Sequence, residues 1–185
     1  TGIPYDQNLG WSALGTLAGR NLVTVADLDR AAQYNPSSIS KNGYAYAIAA
    51  IPDADHKAAA YKRIMEDSSL SNDALTSTAN GFLRGDVGLR TPYYKPFFDS
   101  LLSMWDTRSI GMATRIVRGL YPRSLYNYGS AEGTGVSDNP SVALAQEWLH
   151  KNPSAPSALR RLILEAQDNA HRNMIGQQFN SSLSD

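Results

Sequence analysis

Apolar residues in this chain recur at the three-and-four spacing of a helix face, and no stretch alternates apolar and polar long enough to make a strand. The pattern is clearest between Phe97 and Arg123. It predicts one helix ending near Trp105 and a second from Asp106 to Gly119. In the second, Ile110, Ala113, Val117 and Leu120 form the apolar stripe, while Arg108, Arg115 and Arg118 fall on a separate arc. Phe98 and Trp105 are expected in the core.

The same period, punctuated by proline and capping residues, runs along most of the chain. Residues 1–7 read as a lead-in. Leu9 to Arg20 forms a first helix with Leu9, Trp11, Leu14, Leu17 and Ala18 as its stripe, broken by Asn21 to Val23. Thr24 with Asp27 three residues on reads as an N-cap for the next helix. Asn35-Pro36 stops that helix, and Ser37 or Ser38 opens another through Ile51. Asp53 caps a helix whose stripe is Ala58, Tyr61, Ile64 and Met65. Ser71 or Asn72 caps the following one, and Thr91-Pro92 reads as a cap with proline at the first helical position. Residues 123–139 are rich in Gly, Ser, Asn and Tyr and read as a long loop. Asn139-Pro140 restarts the pattern. A last long helix carries Leu159, Leu162, Ile163, Ala166, Ala170 and Met174, before a frayed tail from Gln177. The result is an all-α chain of about nine helices, whose pairs begin about every thirty to thirty-six residues. That period suits stacked helical hairpins, with a closed bundle as the other option. The domain organisation is therefore a helical-repeat domain over 8–178 and a tail over 179–185.

Composition narrows the partners. Seventeen basic residues balance seventeen acidic ones, so no basic field directs the chain to nucleic acid or to an anionic membrane. No apolar run approaches the ~20 residues of a membrane helix. Cysteine is absent, which closes thiol catalysis and thiolate metal sites and fits a cytoplasmic protein. The start at Thr1, without an initiator Met, reads as a processed or excised piece of something longer.

Chemistry-bearing motifs are missing. His56, His150 and His171 lie far apart, each on a helix surface, and do not make a metal set. There is no His-Glu-x-x-His, no Gly-x-Ser-x-Gly elbow, and Gly81 to Gly88 lacks the spacing of a phosphate loop. No catalytic residue is assigned. Arg108, Arg115 and Arg118 remain as candidates to line a cavity and attract a peptide carboxylate; the plainer reading is a solvated face paired with nearby carboxylates.

Several words of the sequence, in order, carry a resemblance: Asp67-Ser68-Ser69-Leu70-Ser71-Asn72, Ala79-Asn80-Gly81-Phe82, Pro92-Tyr93-Tyr94, Phe97-Phe98, Trp105-Asp106-Thr107-Arg108-Ser109 and Val117-Arg118-Gly119-Leu120-Tyr121-Pro122. Lys57-Ala58-Ala59-Ala60-Tyr61 upstream and Ala158 to Glu165 downstream extend it. Together they resemble the C-terminal region of the bacterial aminopeptidase N family of zinc metallopeptidases, in its actinobacterial branch. The resemblance implies a HEAT-like α-solenoid of antiparallel helix pairs, of the endoplasmic-reticulum-aminopeptidase type, that helps enclose the substrate chamber. It also implies that zinc, its ligands and the catalytic glutamate belong to a catalytic domain upstream. On that expectation this chain is no enzyme and holds no cofactor; its parent is a zinc aminopeptidase, and its partners are that catalytic domain and the peptide substrate. A stand-alone scaffold binding a protein partner is the alternative, and a self-contained enzyme a third class.

Overall fold

A computed structural model describes residues 6–122 and 139–182. Among them every regular element is helical: α1 (Gln7–Ala18), α2 (Val25–Tyr34), α3 (Ser38–Ala50), α4 (Ala54–Glu66), α5 (Asn72–Phe82), α6 (Tyr94–Thr107), α7 (Ile110–Leu120), α8 (Pro140–Lys151) and α9 (Ser157–Ser182). The loop expected over 123–139 lies outside the described residues except for Asn139. The chain divides into two compact units, Thr1–Thr91 and Pro92–Asp185.

Short polar side chains start these helices by accepting the amide hydrogens that the first turn cannot satisfy internally. Asp6 accepts from the Asn8 amide at 2.8 Å, Ser37 from Ser40 at 3.0 Å, Asp53 from His56 at 2.8 Å and Ser71 from Ala74 at 3.2 Å. Thr24 and Asp27 form the full reciprocal capping box. The first helix closes with Asn21 at a φ of 57°. The Asn21 and Leu22 amides donate to Ala18 and Leu17, the double bond of a Schellman ending.

In the first unit α3 packs against both α1 and α5, with α2 against α3 and α4 against α5. The approach of α3 and α5 depends on Gly81. A Cβ there would stand 2.1 Å from the backbone carbonyl oxygen of Tyr46, so only hydrogen fits. On the other flank Trp11 lies over Gly43 and donates its indole N–H to Ser40 Oγ at 3.2 Å. Trp11, Ala18, Leu28, Ala47, Ala50 and Ile51 form the core cluster of this unit.

In the second unit α6 contacts α7 and α8, and α9 contacts α7 and α8. Phe97, Phe98, Leu101 and Met104 of α6 are buried, as are Ala113, Ile116, Val117 and Leu120 of α7, Val142, Ala145 and Trp148 of α8, and Leu159, Leu162 and Ile163 of α9. Phe98 meets Tyr121 edge-on, with centroids 5.9 Å apart.

Several sequence expectations are corrected. The helix expected from Asp106 begins at Ile110, because Ser109 rather than Asp106 caps it. Ile110 is then the first helical residue and is 72% exposed; Ile116 takes its place in the stripe. Trp105 is only half-buried, since it flanks the Phe97–Leu101–Met104 line. Ala58 is exposed, and the buried line of α4 is Lys57, Ala60 and Ile64. Leu9 and Leu17 of α1 also face outward. Thr91 does not cap α6: Thr91–Tyr93 is a 3-10 turn, and the Thr91 hydroxyl donates to the Val87 carbonyl at 3.2 Å. Helix α9 continues to Ser182, past the tail expected from Gln177, for no proline interrupts it.

Gly81→Ala measures how tightly α3 and α5 are held. Helix propensity alone favours Ala by about 1 kcal/mol, whereas overpacking against a backbone atom costs about 1–3 kcal/mol. Because a backbone carbonyl cannot step aside cheaply, chemical denaturation should report a net loss. A gain in stability would contradict the packing described.

Candidate functional site

The buried stripe of α7 leaves Arg115 and Arg118 on its outer side, as the helical period requires. Arg118 reaches a cavity. It lines a cleft of about 430 Å³ together with Tyr121 and, from α9, Leu162, Glu165, Ala166, Asn169, Ala170 and Asn173. Arg115 is exposed and turns its Nη1 back to the Gly111 carbonyl at 3.1 Å. Arg108 is half-buried in the α6–α7 connection, where its amide donates to Met104 at 3.1 Å. The three candidate arginines therefore occupy three settings, one of them a cleft.

The cleft offers a guanidinium, a carboxylate and two carboxamides. Glu165 also sits 3.5 Å from Arg161 on the same helix. Tyr121 forms part of the wall but is almost wholly buried, and its phenol donates to the Ser141 carbonyl at 2.8 Å. Burial pushes that phenol well above its ordinary range, so it remains neutral and serves as a fixed donor. These groups can hold a polar or charged segment by hydrogen bonds.

A second feature was not foreseen from the sequence. Lys57 has no exposed surface. Its Nζ donates to the carbonyls of Ala49 at 2.7 Å and Gly81 at 3.3 Å, the penultimate residues of α3 and α5, and lies 5.9 Å from the Phe82 ring centroid. One ammonium thus joins two helix C-termini, where orphan carbonyls and the helix dipoles both favour a cation. Its position three before Ala60 and seven before Ile64 was the available signal: a lysine inside an apolar stripe.

The sequence model of the ERAP1-like C-terminal domain family matches residues 2–172. The chain belongs to that family. Aminopeptidase N of Streptomyces lividans is 25% identical over 186 residues, an alignment that covers all of this chain and 20% of that protein. This ERAP1-like domain thus spans about a fifth of the curated relative it matches.

The donor set of the described residues does not suit zinc. Among these described residues no three His, Cys, Asp or Glu side chains converge on a point that could hold a metal ion. His56 Nδ1 is 2.6 Å from Asp53 Oδ2 in a helix cap, while His150 and His171 are exposed on α8 and α9. No described helix is long and apolar enough to cross a membrane.

The buried lysine gives the domain a defined pH response. Burial, and secondarily the charge of Arg90, lowers the Lys57 pKa from 10.5 to about 8, against a smaller opposing pull from Asp53. Between those two values the unfolded chain binds more protons than the folded one. Stability should therefore rise as pH increases from 8 to 10.5, by up to about 3 kcal/mol. Comparing denaturation of the parent chain and Lys57→Met across that window isolates the effect. The gap between the two curves should change in favour of the parent; parallel curves would contradict the assignment.

Proposed function

We propose that this domain is the non-catalytic C-terminal part of a zinc aminopeptidase that removes N-terminal residues from peptides. Residues 8–178 act together as a HEAT-like stack of antiparallel helix pairs, covering a substrate chamber built by the catalytic domain of the same polypeptide. The family match carries the reading, and the cleft at Arg118 gives it a chemical role. Zinc chemistry belongs to the upstream catalytic domain in this account, which works in the cytoplasm. The contribution of the present chain is shape and grip.

Arg118 supplies the grip. Its guanidinium can pair with a carboxylate of a peptide long enough to reach it, while Asn169 and Asn173 suit backbone amides. Arg115 and Arg108, which do not line this cleft, are subsidiary cations in this reading. A scaffold that binds a protein partner would need no such dependence on peptide length.

The test uses the full-length enzyme. Arg118→Ala should lower kcat/KM for long peptides by about fivefold, the effect of losing roughly 1 kcal/mol from a solvent-accessible charge pair. Dipeptides should be cleaved at the parent rate. Equal losses on both substrate classes, or none on either, would contradict a distal anchoring role.

A further inference from the structure

Within the first unit, charge separates two kinds of helix. Helix α2 carries Asp27, Asp29 and Arg30, and α4 carries Asp55, Lys57, Lys62, Arg63 and Glu66. Helix α3, packed by α1 on one flank and α5 on the other, has one charged residue, Lys41. Helix α5 has one, Asp73 in its first turn. Helix α1 has none over Gln7–Ala18. It therefore has the composition of a helix packed on both flanks.

Only one of those flanks is occupied by a described helix. Trp11, Gly15 and Ala18 are buried, with Trp11 over Gly43 and Gly15 against Tyr46 of α3. Outside that face, Leu9 (70% exposed), Ala13 and Leu17 (37% exposed) recur at four-residue intervals, the spacing of a helix-packing ridge. Ser12 and Thr16 border the ridge, both exposed. The Thr16 hydroxyl donates to the Ser12 carbonyl at 2.9 Å, which leaves a small methyl-bearing surface with its donor already satisfied. The terminal helix of a helical array ordinarily turns a polar, charged face to water. This one does not.

We propose that the Leu9–Ala13–Leu17 ridge of α1 is an interface occupied by a preceding helix of the same polypeptide, which continues the α1–α3–α5 layer. This rests on the reading of the chain as the downstream part of a longer aminopeptidase. The length available supports that occupant, since the alignment covers only 20% of the Streptomyces lividans protein. The chemistry supports a helix: small side chains allow close backbone approach, as Gly81 does on a neighbouring contact. An anionic lipid surface finds no Lys or Arg on α1 to attract it. The arriving helix should present an equally uncharged flank of small and aromatic residues.

Thiol accessibility in the full-length polypeptide tests this, because the present chain contains no cysteine. Ser12→Cys is nearly isosteric and Ala13→Cys is a second, independent position. Tyr34→Cys, at a site 86% exposed, gives the reference rate. Maleimide labelling, followed by peptide mass analysis at each position, should be slower at 12 and 13 than at 34 by at least about tenfold, as burial beneath a stable contact requires. Equal rates overturn the proposal. Protection that disappears on dilution overturns it too, since it would identify a second copy as the occupant. Peptidase turnover of the same variants reads the functional assignment separately. An active Ser12→Cys variant that labels freely rejects the interface alone. A Ser12→Cys variant that is protected but belongs to a polypeptide without peptidase activity supports the interface and rejects the assignment.

Discussion

The contact on which the first unit depends is the close approach of α3 and α5 at Gly81. A side chain there would meet a backbone oxygen at 2.1 Å, so the two backbones approach as nearly as the absence of a Cβ permits. That proximity brings the C-terminal carbonyls of two helices together, which is electrostatically unfavourable unless a donor enters. Lys57 enters from α4 with its ammonium on both. Desolvating a cation is costly, and the lowered pKa of the lysine records that cost. Helix-end carbonyls and the Phe82 ring offset part of it. The second unit uses a related device at lower cost: half-buried Arg160 donates to the carbonyls of Leu149 and Asn152 at the end of α8.

Local pairing of charges extends through both units of the domain. Many of its ionisable side chains are committed to helix caps and to pairs one turn apart, such as Lys95 with Asp99 and Arg161 with Glu165. The cleft of α7 and α9 combines a cation, a carboxylate and carboxamides around a neutral, immobilised tyrosine. Such a set can hydrogen-bond to polar groups.

The sequence made five helix starts legible, though not those of α6 and α7, because a capping side chain acts on amides two or three residues away. Thr24, Ser37, Asp53, Ser71 and Asn139 all do what their local context suggests. Burial was less legible. Ile110 and Trp105 read as core from hydrophobicity, yet the true start of α7 exposes the first, and the second only borders the stripe of α6. Lys57 is hard to read for the opposite reason: charge suggests surface until two helix ends converge on it. The cleft was out of reach for another reason. Arg118 and Asn169 lie about fifty residues apart in sequence, and no periodicity within one helix reports what faces it from another. The resemblance to a known family rested on the order of short words, and it anticipated the domain without locating any of these contacts.

Native-state hydrogen exchange tests the central claim most directly, because it reads the stability of each helix separately. If the α3–α5 contact holds the first unit together, the amides of Ala47 to Ala50 and of Thr78 to Phe82 should be the slowest in that unit. They should exchange only through its global unfolding, while those of α2 open more readily. Exchange of the α3 and α5 amides at the rate of α2 would show that the contact is not what secures the fold.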